Sequence, residues 1–245
     1  MKFFYVIANS TREGALTTAG FIRDYLENLG IACVVDAGTP RLDRDGYTYR
    51  EQVSPQVDCI IVLGGDGTLL QAAVDLAELD IPFLGINMGT LGFLTEVNKD
   101  GIKSALEKLI REEFTIEKRM MLLGRSYEAE TVKDETRALN DIVITRRGSL
   151  QIINFNIYVN GQLLHRFHGD GVIVATPTGS TGYSLSAGGP IVEPKAELIL
   201  LTPICPHSMH NRSIVLSSKD RVTVEIESSR DGETQEVQAI FDGCH

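Results

Sequence analysis

IIVLGGDGTLLQAA, residues 60–73, runs from an apolar stretch through a glycine-rich turn into helix-forming residues. The apolar part belongs to VDCIIVL, residues 57–63, whose near-continuous hydrophobicity is typical of a strand buried on both faces. The helix TLLQAAVDLAEL follows the turn, and IPFLGIN, residues 81–87, predicts the next strand. A buried strand, a helix and a second buried strand in succession indicate a parallel α/β unit.

The same alternation precedes this stretch. FFYVIA, residues 3–8, predicts a strand, LTTAGFIRDYLENLG predicts a helix that ends near Gly30, and IACVVDA predicts a second strand. A polar loop at 38–56 then leads into the quoted stretch. The first hundred residues therefore predict an α/β domain built on a parallel sheet.

The pattern changes after an amphipathic segment at 100–113. From about residue 118 the chain reads as strands, among them INFNIYVNGQLLHRF with a turn at Asn160-Gly161. We therefore predict a C-terminal β-rich domain and a boundary at 98–118, which gives an α/β domain at 1–100 and a β-rich domain at 101–245.

Composition restricts the class of protein. The 245 residues are 43% apolar and 23% charged, and no stretch approaches the ~20 apolar residues of a membrane span. MKFFYVIANSTREG lacks a small-residue cleavage site, so we expect a soluble cytoplasmic protein without a membrane partner. A formal charge of −10 argues against nucleic-acid binding but allows a small phosphorylated ligand. The sequence contains no C-x-x-C pair, so neither a zinc site nor a disulfide framework is predicted.

The turn itself, GGDGT, predicts a phosphate loop made of Gly64, Gly65, Gly67 and Thr68. We expect Gly64 and Gly65 to adopt backbone angles barred to other residues and to expose N–H groups at a helix N-terminus. Asp66 would then stand at the carboxyl end of a parallel strand, placed to accept a proton or to help hold Mg²⁺. The alternative is an ordinary strand-to-helix turn with the aspartate as a cap.

Other phosphate-binding loops are missing from the sequence. It contains no G-x-x-x-x-G-K-[ST] and no G-x-G-x-x-G after the first strand, so a P-loop NTPase and an ordinary dinucleotide-binding dehydrogenase are not supported.

HGDGVIVATPTGSTGYSLSAGGP, residues 168–190, is rich in glycine and hydroxyl groups and predicts a loop that surrounds a nucleotide, with Tyr183 stacking on a ring. The alternative, a flexible linker, is disfavoured by the apolar run VIVAT.

A family resemblance rests on five ordered motifs within residues 57–216. IIVLGGDGTLL, FLGINMGTLGFL, ALNDIVI, GDGVIVATPTGSTGYSLSAGGPI and LTPICPHS together resemble the NAD kinase family. GGDGT alone also resembles diacylglycerol kinases and phosphofructokinases, from which the other four motifs separate this chain. The resemblance implies an active site between two domains and an enzyme that transfers the γ-phosphoryl of ATP, or in some members polyphosphate, to the 2′-hydroxyl of the adenosine ribose of NAD.

The resemblance also implies roles for individual residues. Asp66 matches the catalytic base, which also contacts NAD, and Gly67 matches a residue lining the NAD site. The other positions that match NAD contacts are Asn140, Asp141, Gln151, His168, Asp170, Thr178, Thr181, Gly182, Tyr183, Ser184, Leu185 and Ser186. A divalent metal, Mg²⁺, would accompany ATP, its protein ligands are not assigned, and the assembly would be a homodimer or homotetramer.

The chain departs from the family pattern at several positions. Asp141 stands where glutamate is frequent, Gly182 where alanine is usual, and His168 where arginine or lysine is common. Family chains ordinarily continue past FDGCH, where this sequence stops at His245, so an incomplete C-terminal domain is expected. A second hypothesis is a non-catalytic dinucleotide-binding regulator, although the retained Asp66 favours an enzyme. We expect Arg146 and Arg147 to form a solvated strand end rather than a phosphate clamp.

Overall fold

The structure, a computed structural model, describes residues 1–37, 48–89, 92–128, 130–148, 152–207, 212–227 and 235–243. Contacts divide the chain into two compact units, Met1–Glu117 and Lys118–His245. This division lies further along the chain than the one at 100/101 because the helix that follows residue 101 packs into the first unit. Over the described part of the chain, no helix is both long and apolar enough to cross a membrane.

The first unit is a parallel sheet with helices on both faces. Its strands are β1 (Phe3–Ala8), β2 (Ala32–Asp36), β3 (Cys59–Gly64), β4 (Phe83–Asn87) and β5 (Val97–Asn98). Its helices are α1 (Ala15–Glu27), α2 (Asp66–Asp75) and α3 (Ile102–Ile110). The sheet order is β2-β1-β3-β4-β5 with every pair parallel, which confirms the predicted α/β domain.

Two apolar layers explain why the central strands read as continuous hydrophobic runs. Alternate residues of β3 point to opposite faces: Ile61 and Leu63 pack with α1 and α3, and Ile60 and Val62 pack with α2. Ile102, Leu106 and Leu109 of α3 lie in the first of these layers. Strand β3 is thus buried on both sides, as the sequence predicts, and α3 belongs to the first unit.

The second unit is built from antiparallel strands. They are β6 (Leu122–Glu128), β7 (Thr131–Ala138), β8 (Asp141–Arg146), β9 (Ile153–Val159), β10 (Gln162–Gly169), β11 (Gly171–Ala175), β12 (Leu198–Ile204), β13 (Ile214–Ser217), β14 (Val222–Ile226) and β15 (Val237–Phe241). One sheet has the order β13-β12-β11-β8-β15, another β10-β9-β14, and β6 and β7 form a hairpin. The predicted β-rich character of the C-terminal domain is confirmed.

A short helix, α4 (Tyr183–Ser186), lies against β11 of the five-stranded sheet. Apolar side chains of β9 and β10 pack against those of β11 and β12, which joins the two larger sheets. Ala187 and Val192, which follow α4, cover the other face of the five-stranded sheet against Ile173 of β11. The run VIVA is therefore buried on both faces, which is why the glycine-rich segment around it is not a linker.

Candidate active site

The turn between β3 and α2 has its glycines for a steric reason. Neither Gly64 nor Gly65 has a positive φ, and Gly65 is extended at φ −113°. The expectation of angles barred to other residues is therefore wrong for this pair. A Cβ on Gly64 would lie 2.3 Å from Thr68 Oγ1, so a larger residue there would collide with the first turn of α2. The missing side chain at Gly64 allows the helix to begin directly at the end of the strand.

Asp66 is the first residue of α2, and its carboxylate is held by a distant segment of the first unit. Oδ2 accepts the N–H of Phe93 at 2.8 Å, while Oδ1 accepts the N–H groups of Leu94 and Thr95 at 3.3 and 3.1 Å. The hydroxyl of Thr95 also donates to Oδ1 at 3.0 Å. The N-cap residue of α2 is Gly65, so the alternative of an aspartate that caps its own helix is wrong.

Gly92 allows this segment to approach the carboxylate so closely. A Cβ at position 92 would lie 2.2 Å from both carboxylate oxygens of Asp66. Behind the carboxylate, Thr95 is 1% exposed, and its Oγ1 accepts a hydrogen bond from Asn87 Nδ2 at 3.0 Å. Asn87 is the last residue of β4, so the sheet itself fixes the position of the hydroxyl that contacts Asp66.

Thr68 connects α2 to the end of β1. Its Oγ1 accepts a hydrogen bond from Asn9 Nδ2 at 3.0 Å, and Asn9 Oδ1 in turn accepts the N–H of Thr11 at 3.0 Å. The side chain of Thr68, one of the predicted phosphate-loop residues, is thus buried and hydrogen-bonded to Asn9. Arg12 follows in the same loop, with its Nη2 4.0 Å from the position of a Cβ on Gly65. A guanidinium therefore lies beside the N-terminus of α2, where the helix dipole also favours an anion.

A second set of predicted residues meets at the start of β8. Thr176 N–H donates to the carbonyl oxygen of Asn140 at 2.8 Å, and Thr176 Oγ1 donates to that of Leu139 at 2.6 Å. The backbone at residues 139–141, where β7 leads into β8, forms a corner. A Cβ on Gly179 would lie 2.1 Å from the carbonyl oxygen of Asn140, so the turn Thr178–Thr181 can pack against this corner only because position 179 is glycine. The structure thus brings Asn140, Asp141, Thr178 and Thr181 into one region of the second unit.

Gly182 lies against the same corner. A Cβ added at Gly182 would be 3.6 Å from Asp141 Oδ2 and 3.8 Å from Asn140 Nδ2. In α4, Tyr183 and Leu185 are 47% and 41% exposed, so both side chains are open to a ligand, and Ser186 is also exposed. Ser184 is buried instead, where its hydroxyl bonds to Thr202 Oγ1 at 3.0 Å, so its side chain points into the interior.

Asp141 is an ionisable group inside the second unit. It is 5% exposed, and burial, with the nearby charge of Asp242 as a second cause, raises the pKa of Asp141 to about 6. Burial also raises the pKa of Asp242, although hydrogen bonds from the backbone N–H groups of residues 139–141 act in the opposite direction. A carboxyl group whose charge changes near neutrality therefore lies among the predicted NAD contacts.

His168 and Asp170 are not brought to the corner at residues 139–141. His168 Nδ1 hydrogen-bonds to Asn154 Oδ1, and Asp170 Oδ1 accepts Arg146 Nε at 2.9 Å. Both lie before β11, whereas Thr178 follows it, and a strand of five residues separates the two groups by roughly 17 Å. Gln151 lies outside the described residues. Arg147 is exposed, as predicted. Arg146 ends β8, but the prediction of a solvated side chain is wrong for Arg146 because it forms this partly buried ion pair.

Three residues that contact the predicted site were missed by sequence reasoning. They are Thr95, which donates to Asp66, Asn87, which donates to Thr95, and Asp242, which binds the backbone at residues 139–141. Asn87 ends the predicted strand IPFLGIN, so a polar residue at the carboxyl edge of a parallel sheet was a usable signal. No local pattern distinguishes Thr95 or Asp242.

Among the described residues, no group of three or more His, Cys, Asp or Glu side chains is arranged to hold a metal ion. The carboxylate of Asp66 is the acidic group at the glycine turn, and its oxygens are occupied mainly by N–H donors.

Comparison with known proteins covers nearly the whole chain. Family models described as the ATP-NAD kinase N-terminal domain and the ATP-NAD kinase C-terminal domain match residues 4–114 and 139–245. An NAD kinase of Lachnoclostridium phytofermentans is 47% identical over 243 residues, which cover 98% of this chain and 84% of that protein. An NAD kinase of Lachnospira eligens is 44% identical over 232 residues, which cover 94% of this chain and 79% of that protein.

Solved structures agree with these sequence matches. Yeast NADH kinase complexed with NADH superposes with a TM-score of 0.80 at 28% identity, covering 99% of this chain and 75% of that one. An NAD kinase from Archaeoglobus fulgidus in complex with ATP superposes with a TM-score of 0.75 at 26% identity, covering 98% of this chain and 84% of that one.

Proposed function

Because the chain belongs to the ATP-NAD kinase family, we propose that it transfers the γ-phosphoryl group of ATP to the 2′-hydroxyl of the adenosine ribose of NAD. The products are NADP and ADP. The observation that supports this most directly is the Asp66 carboxylate, which is fixed beside the N-terminus of α2 at the carboxyl edge of a parallel sheet.

Asp66 acts as the general base. Oδ1 accepts three donors and Oδ2 accepts one, so Oδ2 retains a lone pair that can receive a proton. The ribose oxygen attacks the γ-phosphorus, its proton passes to Oδ2, and the bond from the γ-phosphorus to the bridging oxygen of ADP breaks. General-base assistance contributes about 10²- to 10⁴-fold, and positioning of the substrates supplies most of the remainder.

The donor phosphates meet positive groups at the glycine turn. The first N–H groups of α2 have no partner within the helix, and Arg12 lies beside them. Gly65 and Gly67 leave room for phosphate oxygens to approach the backbone, while Gly64 lets α2 begin directly at the end of β3. Mg²⁺ enters as part of the Mg-ATP substrate, where it neutralises charge on the phosphate oxygens. Polyphosphate presents the same chemistry, and we propose ATP as the donor because of the family to which the chain belongs.

The acceptor dinucleotide contacts the corner at residues 140–141 and the loop that rests on it. Asn140 and Asp141 offer hydrogen-bonding side chains, Thr178 and Thr181 offer hydroxyls, and exposed Tyr183 offers a ring face. Gly67, Gly182, Ser184, Leu185, Ser186, Gln151, His168 and Asp170 remain proposed NAD contacts. We also propose a cytoplasmic homodimer or homotetramer.

The test compares NAD with an analogue that lacks the 2′-hydroxyl. With Mg-ATP, NAD should give equal amounts of ADP and NADP, the latter measured by an NADP-specific dehydrogenase. The 2′-deoxy analogue should inhibit competitively without releasing ADP, since one lost hydrogen bond lowers its affinity by only about 1–3 kcal/mol. Phosphorylation of the analogue, seen by mass spectrometry, would contradict the acceptor assignment. Binding of NAD without turnover would instead favour a dinucleotide-binding regulator.

A further inference from the structure

One carboxylate binds three consecutive backbone N–H groups at the proposed acceptor site. Asp242 Oδ2 accepts the N–H of Leu139 at 2.7 Å, and Oδ1 accepts those of Asn140 and Asp141 at 2.7 and 3.0 Å. The N–H of Asp242 also donates to the carbonyl oxygen of Asp141 at 3.0 Å. Charge-assisted hydrogen bonds of this kind are roughly twice as strong as neutral ones, so Asp242 fixes the backbone from which Asn140 and Asp141 project.

The same corner is held from a second direction. Thr176 donates its N–H to Asn140 and its hydroxyl to Leu139, and the turn containing Gly179 rests on the Asn140 carbonyl. The peptide groups at 139–140 therefore have their N–H groups bound by Asp242 and their carbonyls bound by the loop that carries Thr178 and Thr181. A shift of this corner would move both proposed halves of the acceptor site.

Asp242 adopts a backbone conformation that few residues tolerate. Its φ is +49°, which lies in the left-handed region where aspartate and asparagine are enriched among non-glycine residues. Asparagine is thus compatible with this backbone but differs in charge and in hydrogen bonding. An asparagine oxygen can accept the N–H groups of Asn140 and Asp141, whereas its NH₂ would face the N–H of Leu139.

We propose that Asp242 is a positioning residue for acceptor binding: its carboxylate fixes the 139–141 corner so that Asn140 and Asp141 contact NAD. This proposal rests on the proposed function, because that function supplies NAD as the ligand of the corner. Asp242 itself touches backbone and not substrate. Burial raises the pKa of Asp141, and the charge of Asp242, which is the charge that acts on it among the described residues, raises it further.

Two variants at position 242 test this positioning role. Asp242→Asn retains acceptors for two of the N–H groups, and Asp242→Ala retains none, so the KM for NAD should rise about 5-fold or more in the first and further in the second. Both variants remove the same negative charge. The pKa of Asp141, which burial and Asp242 raise to about 6, should therefore fall in both variants, and the pH midpoint of NAD affinity should fall with it.

Asp220→Asn is the matched control. Asp220 lies in the same unit, where its Oδ2 accepts the N–H of Ser217 at 2.9 Å and its Oδ1 accepts Asn160 Nδ2 at 2.8 Å, away from the 139–141 corner. It should leave the KM for NAD and its pH midpoint unchanged. The KM for ATP and the thermal unfolding midpoint, measured for every variant, show whether the fold is kept, and the asparagine variant is decisive if the alanine variant does not fold.

Calorimetric titration with NAD in the absence of ATP separates the two possible failures. Wild-type protein that binds NAD, together with weaker binding by both Asp242 variants and a shared downward shift of the midpoint, supports the assignment. Equal NAD affinity and an equal midpoint in wild-type and Asp242→Asn proteins overturn it and leave the proposed function standing. Wild-type protein that neither binds nor phosphorylates NAD overturns the proposed function instead.

Discussion

Replacing Thr95 by valine removes the side-chain hydroxyl that holds the proposed base. Thr95 is 1% exposed, and its Oγ1 donates to Asp66 Oδ1 at 3.0 Å while it accepts from Asn87 Nδ2 at 3.0 Å. Valine has almost the same shape, so the packing of the methyl group near Gly85 is kept. The three backbone N–H groups that bind Asp66 are also kept.

The magnitude follows from the type of hydrogen bond. A hydrogen bond to a charged group contributes roughly 1.5–3 kcal/mol, and each 1.4 kcal/mol corresponds to a factor of about ten. If the whole of this energy orients Asp66 for proton transfer, kcat falls about 10- to 100-fold. The KM for ATP should change little, because Thr95 lies behind the carboxylate, and the free energy of unfolding should fall by about 1–2 kcal/mol.

The assay is steady-state NADP formation by wild-type, Thr95→Val and Thr95→Ser proteins. Serine restores the hydroxyl and should recover most of kcat, although it loses a buried methyl group. Thr131→Val, on an exposed strand position, is the control for a general effect of the substitution. A valine variant with unchanged kcat, or a serine variant as slow as valine, would refute the claim that this hydroxyl orients Asp66.

Three further predictions concern substrate contacts and pH. Tyr183→Ala should raise the KM for NAD more than that for ATP, since a ring contact contributes about 0.5–1.5 kcal/mol beyond buried area; a rise confined to ATP would reassign the loop. Arg12→Ala should raise the KM for ATP several-fold and leave that for NAD nearly constant. Because the pKa of Asp141 is raised to about 6, the free energy of unfolding falls as pH rises from about 4 through 6. Asp141→Asn should therefore have a free energy of unfolding higher than wild type by roughly 1–3 kcal/mol at pH 7, measured by urea unfolding, and should bind NAD less tightly.

The parts of the fold that the sequence predicted are those with strong local patterns. Strand β3 was recognisable because both of its faces are buried, and the β9–β10 hairpin because Asn160 and Gly161 both take the positive φ that such a turn requires. The β6–β7 hairpin had no such signal, since most of its side chains are exposed and no alternation of apolar and polar residues results.

The site was predicted less completely because its contacts are long-range. Asp66 was recognisable from the turn, but the residues that hold it lie 27–29 positions further along the chain. Asp242 contacts residues more than 100 positions before it. The reason for Gly64 was also tertiary, because the limit is the space occupied by Thr68 rather than the backbone angle that the sequence suggested.

The most direct test of the central claim compares wild-type and Asp66→Asn proteins in single assays that contain NAD and Mg-ATP. NADP is measured with an NADP-specific dehydrogenase, ADP with a coupled assay, and NAD affinity by calorimetry. The account predicts stoichiometric NADP and ADP from the wild-type protein, and a loss of at least about 10²-fold in kcat with NAD affinity within a few-fold in the variant. Near-normal turnover by Asp66→Asn, or ADP release without NADP from the wild-type protein, would contradict it.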